Sequence, residues 1–214
     1  MYQCAHKIIC ESCEEVFYSP IVVHTTVCTD NEGGINDSFS EGNLNTVTCT
    51  ICKQKFTYEL PMLIYSLKNS YAITVLPSKE SNTYTSKSSA IFKILKLNIN
   101  RFRLVNYQCE ALEKVKIFEN NLDDVTIEKI KLSEFNDSYF ENKTLNILLF
   151  KEVQDNKLIF EYKDFLGNVI ETHYISKEKY DSLITFRDIN NTYTNKTNWL
   201  KVDTKYIKEN KINE

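Results

Sequence analysis

The sequence predicts an α+β protein in two parts: a β-rich N-terminal module, residues 1–77, and a mixed α+β module, residues 91–214, joined across residues 78–90. Two observations predict this division. Cys10/Cys13 and Cys49/Cys52 form two Cys-x-x-Cys pairs, each followed by a β-like run. Beyond them, the stretch from Ser78 to Ser89 is almost wholly polar and has no periodicity, as a linker or long surface loop would. Helical spacing of apolar residues appears only after that break.

Taken in order, the run from Val16 to Val27 is rich in β-branched and aromatic residues and reads as an extended strand, with Pro20 at a bulge or an edge. Residues Thr29 to Asn45 are polar and hold three of the four glycines, so they form a loop, with a short helical turn near Ser38 to Glu41. Thr46 to Thr48 leads as a strand into the second cysteine pair. Phe56 to Leu60, Met62 to Leu67 and Tyr71 to Leu76 read as three more strands, with a turn at Lys68 to Ser70.

In the second part, Glu110 to Phe118 and Asp123 to Phe135 carry helical apolar spacing. Asp123 and Asp124 suit a helix start, where free N–H groups favour negative charge. Leu145 to Val153, Lys157 to Tyr162 and Val169 to Ile175 read as strands, the last two pairing as a hairpin across Asp164 to Asn168. Ser176 can cap a helix running to about Asp188. The charged segment from Lys201 is expected to fray.

The composition excludes several classes. Aromatic residues make up 12% of 214, too many for a disordered chain. The N-terminus has no long apolar stretch behind a basic start, so no signal peptide is expected, and the longest apolar-leaning stretch, Leu60 to Leu67, is too short to cross a bilayer. No membrane partner and a cytoplasmic location are therefore expected. Seven cysteines in a reducing compartment favour metal binding over a disulfide framework. Residues 1–85 hold five lysines against nine acidic residues, net −4, while the remainder is net +1. Nucleic-acid recognition needs a basic surface, so binding through the acidic first part is disfavoured.

Each Cys-x-x-Cys spacing lets one tight turn aim two sulfurs at a single ion, and two such turns complete a tetrahedral zinc site of Cys10, Cys13, Cys49 and Cys52. The 35 residues between the pairs are tolerable, because each knuckle is local and only their approach needs the fold. A redox dithiol would instead open a helix after a strand and would need only one pair. Four protein ligands leave no position for water or substrate, so the zinc is expected to be structural.

Cys4, Cys28 and Cys109 read as buried or idle thiols, although Cys4 and His6 lie near enough to Cys10 to serve as substitute ligands. His24 and His173 read as packed strand residues, and the sequence nominates no catalytic residue and no organic cofactor. Glu110, Glu113, Asp123, Asp124 and Glu128 could converge on a hard metal. The favoured reading makes them helix-start and solvated-face charges, balanced by Lys114, Lys116 and Lys129.

The residues Cys10-Glu11-Ser12-Cys13, Gly42-Asn43-Leu44-Asn45, Cys49-Thr50-Ile51-Cys52 and Pro61 to Tyr65 resemble the CpXC family, a bacterial and archaeal domain of unknown function named for its Cys-Pro-x-Cys motifs. The resemblance covers about residues 4–77, and Leu112-Glu113-Lys114, Leu122-Asp123-Asp124 and Ile127-Glu128 look similar to the C-terminal part of longer members. It implies paired cysteines and zinc, and no reaction. Glu11 and Thr50 stand where the family has proline, and Glu14 and Lys53 where knuckles often have glycine, which eases a left-handed residue.

Three functions follow as expectations. The first is a structural zinc site in an intracellular module that recognises another protein or a small ligand. The second is a zinc-ribbon nucleic-acid-binding protein, for which salt-sensitive retention of DNA or RNA near neutral pH would speak. The third is an enzyme with a carboxylate site in the second module. A cleft gathering the Glu110 to Glu128 carboxylates would favour it, and helices pointing them apart would end it.

Overall fold

The structure, a computed structural model, describes residues 2–23, 25–30, 44–77, 97–135, 146–164, 167–184 and 199–210. It is α+β, as the sequence predicts. The expected turn near Ser38 to Glu41 and the linker from Ser78 to Ser89 lie outside the described residues.

Strands β1 (Tyr2–Ile9) and β2 (Val16–Val23) form an antiparallel hairpin from Tyr2↔Val23 to Ile9↔Val16. Its two faces follow the strand period of two: Cys4, His6, Ile8 and Cys10 turn inward, while Gln3, Ala5, Lys7 and Ile9 are exposed. Pro20 pairs with Ala5 in this two-stranded sheet, so it sits on an edge strand, where its missing N–H is tolerable.

A mixed four-stranded sheet follows, in the order β3 (Thr25–Cys28), β6 (Met62–Ser66), β7 (Tyr71–Val75) and β8 (Arg101–Val105). Strands β3 and β6 are parallel, β6 and β7 antiparallel, and β7 and β8 parallel. The sheet therefore combines strands from both sides of residues 78–90. Between β3 and β6 the chain makes a short antiparallel pair, β4 (Thr46–Thr48) with β5 (Lys55–Thr57). The expected strand from Phe56 to Leu60 is confined to Lys55–Thr57.

Helix α1 (Gln108–Glu119) lies against β7 and β8 on one side and β9 (Asn146–Gln154) on the other. Helix α2 (Asp124–Glu134) starts at Asp123, whose carboxylate accepts the N–H and the hydroxyl of Thr126 at 2.8 and 2.9 Å. Strands β9, β10 (Lys157–Asp164) and β11 (Val169–Ser176) form an antiparallel meander. The β10–β11 turn is closed by Asp164, which accepts the N–H groups of Gly167 and Asn168, with Gly167 at φ +84°. Helix α3 (Lys177–Leu183) is capped by Ser176, as expected, but ends at Leu183.

The main core joins both parts of the chain: Val22, Ile64 and Ile73 pack in one cluster with Ile117, Ile130, Phe150 and Phe160. Residues 201–210, the described part of the charged C-terminal segment, do not fray. Leu200 pairs with β8 through Leu104 N–H to Leu200 C=O at 2.9 Å, and helix α4 (Thr204–Glu209) follows, capped by Asp203. Val202 and Ile207 bury themselves against Val125 of α2, which the run of surrounding charges conceals.

Candidate metal centre

The two cysteine pairs meet at the ends of the two hairpins. Cys10 follows β1, and Cys10 and Glu15 bridge the first turn through Cys10 N–H to Glu15 C=O at 2.9 Å. The second turn repeats it, with Cys49 N–H to Gln54 C=O at 2.9 Å. Glu14 and Lys53 close these turns with N–H bonds back to the Cys10 and Cys49 carbonyls, at 2.8 and 3.1 Å. Their φ angles are +59° and +64°, the left-handed region where glycine is easiest. The knuckle geometry is thus made with ordinary residues at both places.

The hairpins bring all four Sγ atoms within 4.8 Å of one another, with Cys10–Cys52 at 3.6 Å and Cys13–Cys49 at 3.7 Å. Among the described residues, this is the group of side chains placed to hold a metal ion. Ile8, Phe17, Ile21 and Val47 pack beneath Cys10 and Cys49, while Cys52 is exposed.

Such crowding splits the thiols. At Cys49, burial opposes ionisation, but the N–H groups of Cys52 and Ile51 and the neighbouring thiols bring it down to about 6. At Cys13 an N–H from Glu15 favours the thiolate; burial and the sulfurs of Cys52, Cys10 and Cys49 outweigh it and push the thiol up to about 12. Four adjacent thiolates repel one another, and a bound cation is what would allow all four to ionise together.

The remaining candidates sit apart from this group. His6 hydrogen-bonds the Tyr58 hydroxyl at 3.1 Å, and Cys4 is half-buried on the inner face of β1. Burial, reinforced by the Glu110 and Glu59 charges, pushes the Cys109 thiol up to about 12. Cys28 lies beside the Tyr65 hydroxyl. His173 stacks edge-on against Phe135 at 4.8 Å. His24 lies outside the described residues.

The acidic set is not a solvated face. Asp124, Glu113 and Glu128 are buried, at 0%, 4% and 3% exposure, because Arg103, Lys114 and Lys131 are buried with them. Arg103 grips Asp124 in a two-pronged pair at 2.7 and 2.8 Å. Lys114 reaches Asp124 and Glu128 at 3.2 and 3.3 Å, and Lys131 reaches Glu113 and Glu128 at 2.6 and 3.2 Å. Despite burial, Arg103 and Lys114 hold the Asp124 carboxyl well below the usual range. Burial raises Glu113, with Lys131 opposing.

Glu110, Glu113 and Glu128 line one small open cleft of about 40 Å³, together with Lys114, Lys131 and residues of the C-terminal segment. Asp123 is turned into its capping role. No three carboxylates among the described residues gather at metal-binding distance. Arg103 and Lys131, absent from the sequence reading, hold this cluster together. The signal that could have found them is a basic residue inside an apolar run, as in Arg101-Phe102-Arg103-Leu104-Val105.

Among the described residues, no helix is long and apolar enough to cross a membrane. A family model described as CpXC protein matches residues 8–131, a span that includes both cysteine pairs, α1 and most of α2. No curated protein and no solved structure matches the chain.

Proposed function

The chain belongs to the CpXC protein family, and from its four converging sulfurs we propose that Cys10, Cys13, Cys49 and Cys52 bind one structural zinc ion in a cytoplasmic recognition module. One observation carries this reading: the Cys10–Cys52 and Cys13–Cys49 separations of 3.6 and 3.7 Å. Zinc–sulfur bonds of about 2.3 Å in a tetrahedron place sulfurs roughly 3.8 Å apart, so the cage fits with little adjustment. Four thiolates would fill the coordination sphere and leave zinc the task of holding two hairpins together.

Recognition of another protein draws support from apolar residues left exposed around the knuckles. Ile9 and Val16 are cross-strand partners on the outer face of the first hairpin, Tyr18 follows on that face, and Ile51 tops the second knuckle. The exposed Glu11, Glu14 and Glu15 beside them argue against a nucleic-acid surface. For the enzyme alternative, the cleft does collect three carboxylates, but lysines neutralise the two deepest, which does not suit moving a proton.

Metal analysis of the purified protein tests the centre. About one zinc per chain is expected, and Cys49→Ser should strip the metal and unfold the two hairpins. Visible absorbance from iron in the same cage would replace zinc, and a Cys49→Ser variant with full metal content and folding would remove the site altogether. Affinity capture from the native host, with wild type against Ile9→Glu/Ile51→Glu, tests the recognition surface: a partner kept by wild type and lost by the variant is expected.

A further inference from the structure

We propose that the outer edge of β11 pairs with β11 of a second copy of the chain, antiparallel about a two-fold axis at Thr172, so that two three-stranded meanders join into one sheet. The contact uses none of the cysteines and lies apart from the recognition surface around the knuckles.

The two edges of the meander differ. At β9 the edge is covered: α1 lies along the strand, and its Glu113 accepts the Phe150 N–H at 2.6 Å. At the other end of the order β11-β10-β9, no further strand pairs with β11 among the described residues. Its side chains are open to solvent, with Val169 at 47%, Ile170 at 56% and Tyr174 at 62% exposure, while Leu158, Ile159 and Phe160 of the neighbouring β10 are buried. An edge strand offers a row of backbone N–H and C=O groups to another strand, and lysine and proline are the usual guards against it. Val169–Ser176 contains neither. It has one bulge, where Ile170 is the extra residue between Val169, opposite Lys163, and Glu171, opposite Tyr162. From Glu171 onward the strand is regular.

The sequence of this edge is complementary to itself in one register. When two identical strands pair antiparallel, the residue on the axis faces its own copy and its neighbours face each other in reverse order. An axis at Glu171 would set two carboxylates opposite each other, and an axis at His173 would set Glu171 against Ile175. An axis at Thr172 sets each Glu171 against His173 of the second copy, acceptor against N–H donor. It also sets two threonines together at the centre and brings the exposed Tyr174 beside the exposed Ile170 of the second copy. Within each copy Glu171 already lies 3.5 Å from His173, so the four groups alternate carboxylate and imidazole around the axis. Every favourable pair off the axis is made twice.

The test is sedimentation velocity of the full-length protein as purified, at concentrations up to roughly 0.5 mM, where a reversible dimer is expected. Tyr174→Lys, at an exposed position, should weaken the dimer about tenfold or more with an unchanged melting temperature. Mild oxidation of Thr172→Cys should join position 172 of one copy to position 172 of the other, read by mass spectrometry of the linked peptide. A folded chain that stays monomeric over this range overturns the inference, as does a dimer that Tyr174→Lys leaves as tight as wild type. A dimer lost in Ile9→Glu/Ile51→Glu and kept in Tyr174→Lys also overturns it, by placing the contact at the knuckles. Metal content, measured on the same samples, shows whether the cysteine centre stands independently of that result.

Discussion

Glu59 closes the N-terminus of helix α1 from outside it: its two carboxylate oxygens accept the Gln108 backbone N–H at 3.1 and 3.2 Å. Glu59 lies just beyond β5, so this contact ties the cysteine hairpins to the helix that carries the charged cleft. Burial raises its pKa to about 7, in spite of the Gln108 N–H, and the Glu110 charge adds to the rise.

That raised value gives a pH dependence of definite sign. Between about 4.5 and 7 the unfolded chain has lost the Glu59 proton while the folded chain keeps it. Stability from this group is therefore present below the unfolded value and declines as pH rises through 7. Glu59→Gln keeps an acceptor and abolishes the titration. Urea unfolding at pH 5 and pH 8 should show the variant gaining on wild type by on the order of 2 kcal/mol. An equal difference at both pH values would mean that Glu59 ionises freely in the fold.

The left-handed turns make a second prediction. Glu14 holds φ +59° at the first knuckle, a conformation that costs a side chain roughly 1 kcal/mol and glycine almost nothing. Glu14→Gly should stabilise the metal-loaded protein by about 0.5 kcal/mol once glycine's extra unfolded-state entropy is deducted. Glu14→Val should destabilise it by more than that, since β-branching is worst at positive φ. Denaturant midpoints of the three proteins, each saturated with zinc, decide it. A lower midpoint for the glycine variant would show that the turn is not strained.

A third prediction concerns the buried charges. Asp124→Asn leaves Arg103, at 1% exposure, without its counter-charge and should cost about 3–5 kcal/mol. Replacing both partners by hydrocarbon, as in Arg103→Met/Asp124→Leu, should cost less than the single change, because no lone charge remains buried. A single variant within about 0.5 kcal/mol of wild type would mean that water reaches Arg103.

These charges also show where the sequence stops being legible. The knuckles, the β10–β11 hairpin and the starts of α2 and α3 are local: cysteine spacing, Asp164 to Asn168, Asp123 and Ser176 state them within a few residues. Strands β1 and β8 depend on distant partners. In β8, the fully buried Arg103 reads as a surface residue until Asp124, 21 positions on, neutralises it. The same holds for Glu113, Glu128 and Lys131, whose charges pattern like a solvated face and become interior only as a set. The four sulfurs were legible because each half of their site is made by one turn; the cleft, assembled from β9, two helices and the C-terminal segment, has no such local signature.

The C-terminal segment gives the last prediction, and it separates docking from fraying. Ile207 is fully buried against Val125 and Val202, and Leu200 is hydrogen-bonded on both sides, to Phe102 C=O at 3.2 Å and from Leu104 N–H at 2.9 Å. If this segment is part of the core, Ile207→Ala should cost about 2–4 kcal/mol, the usual range for emptying a buried aliphatic site. The Leu104 amide should also exchange slowly with solvent in wild type and faster in the variant, since its acceptor is held in place by that packing. A frayed segment would leave both measurements unchanged, because an exposed Ile207 loses little on truncation and cannot protect an amide of β8.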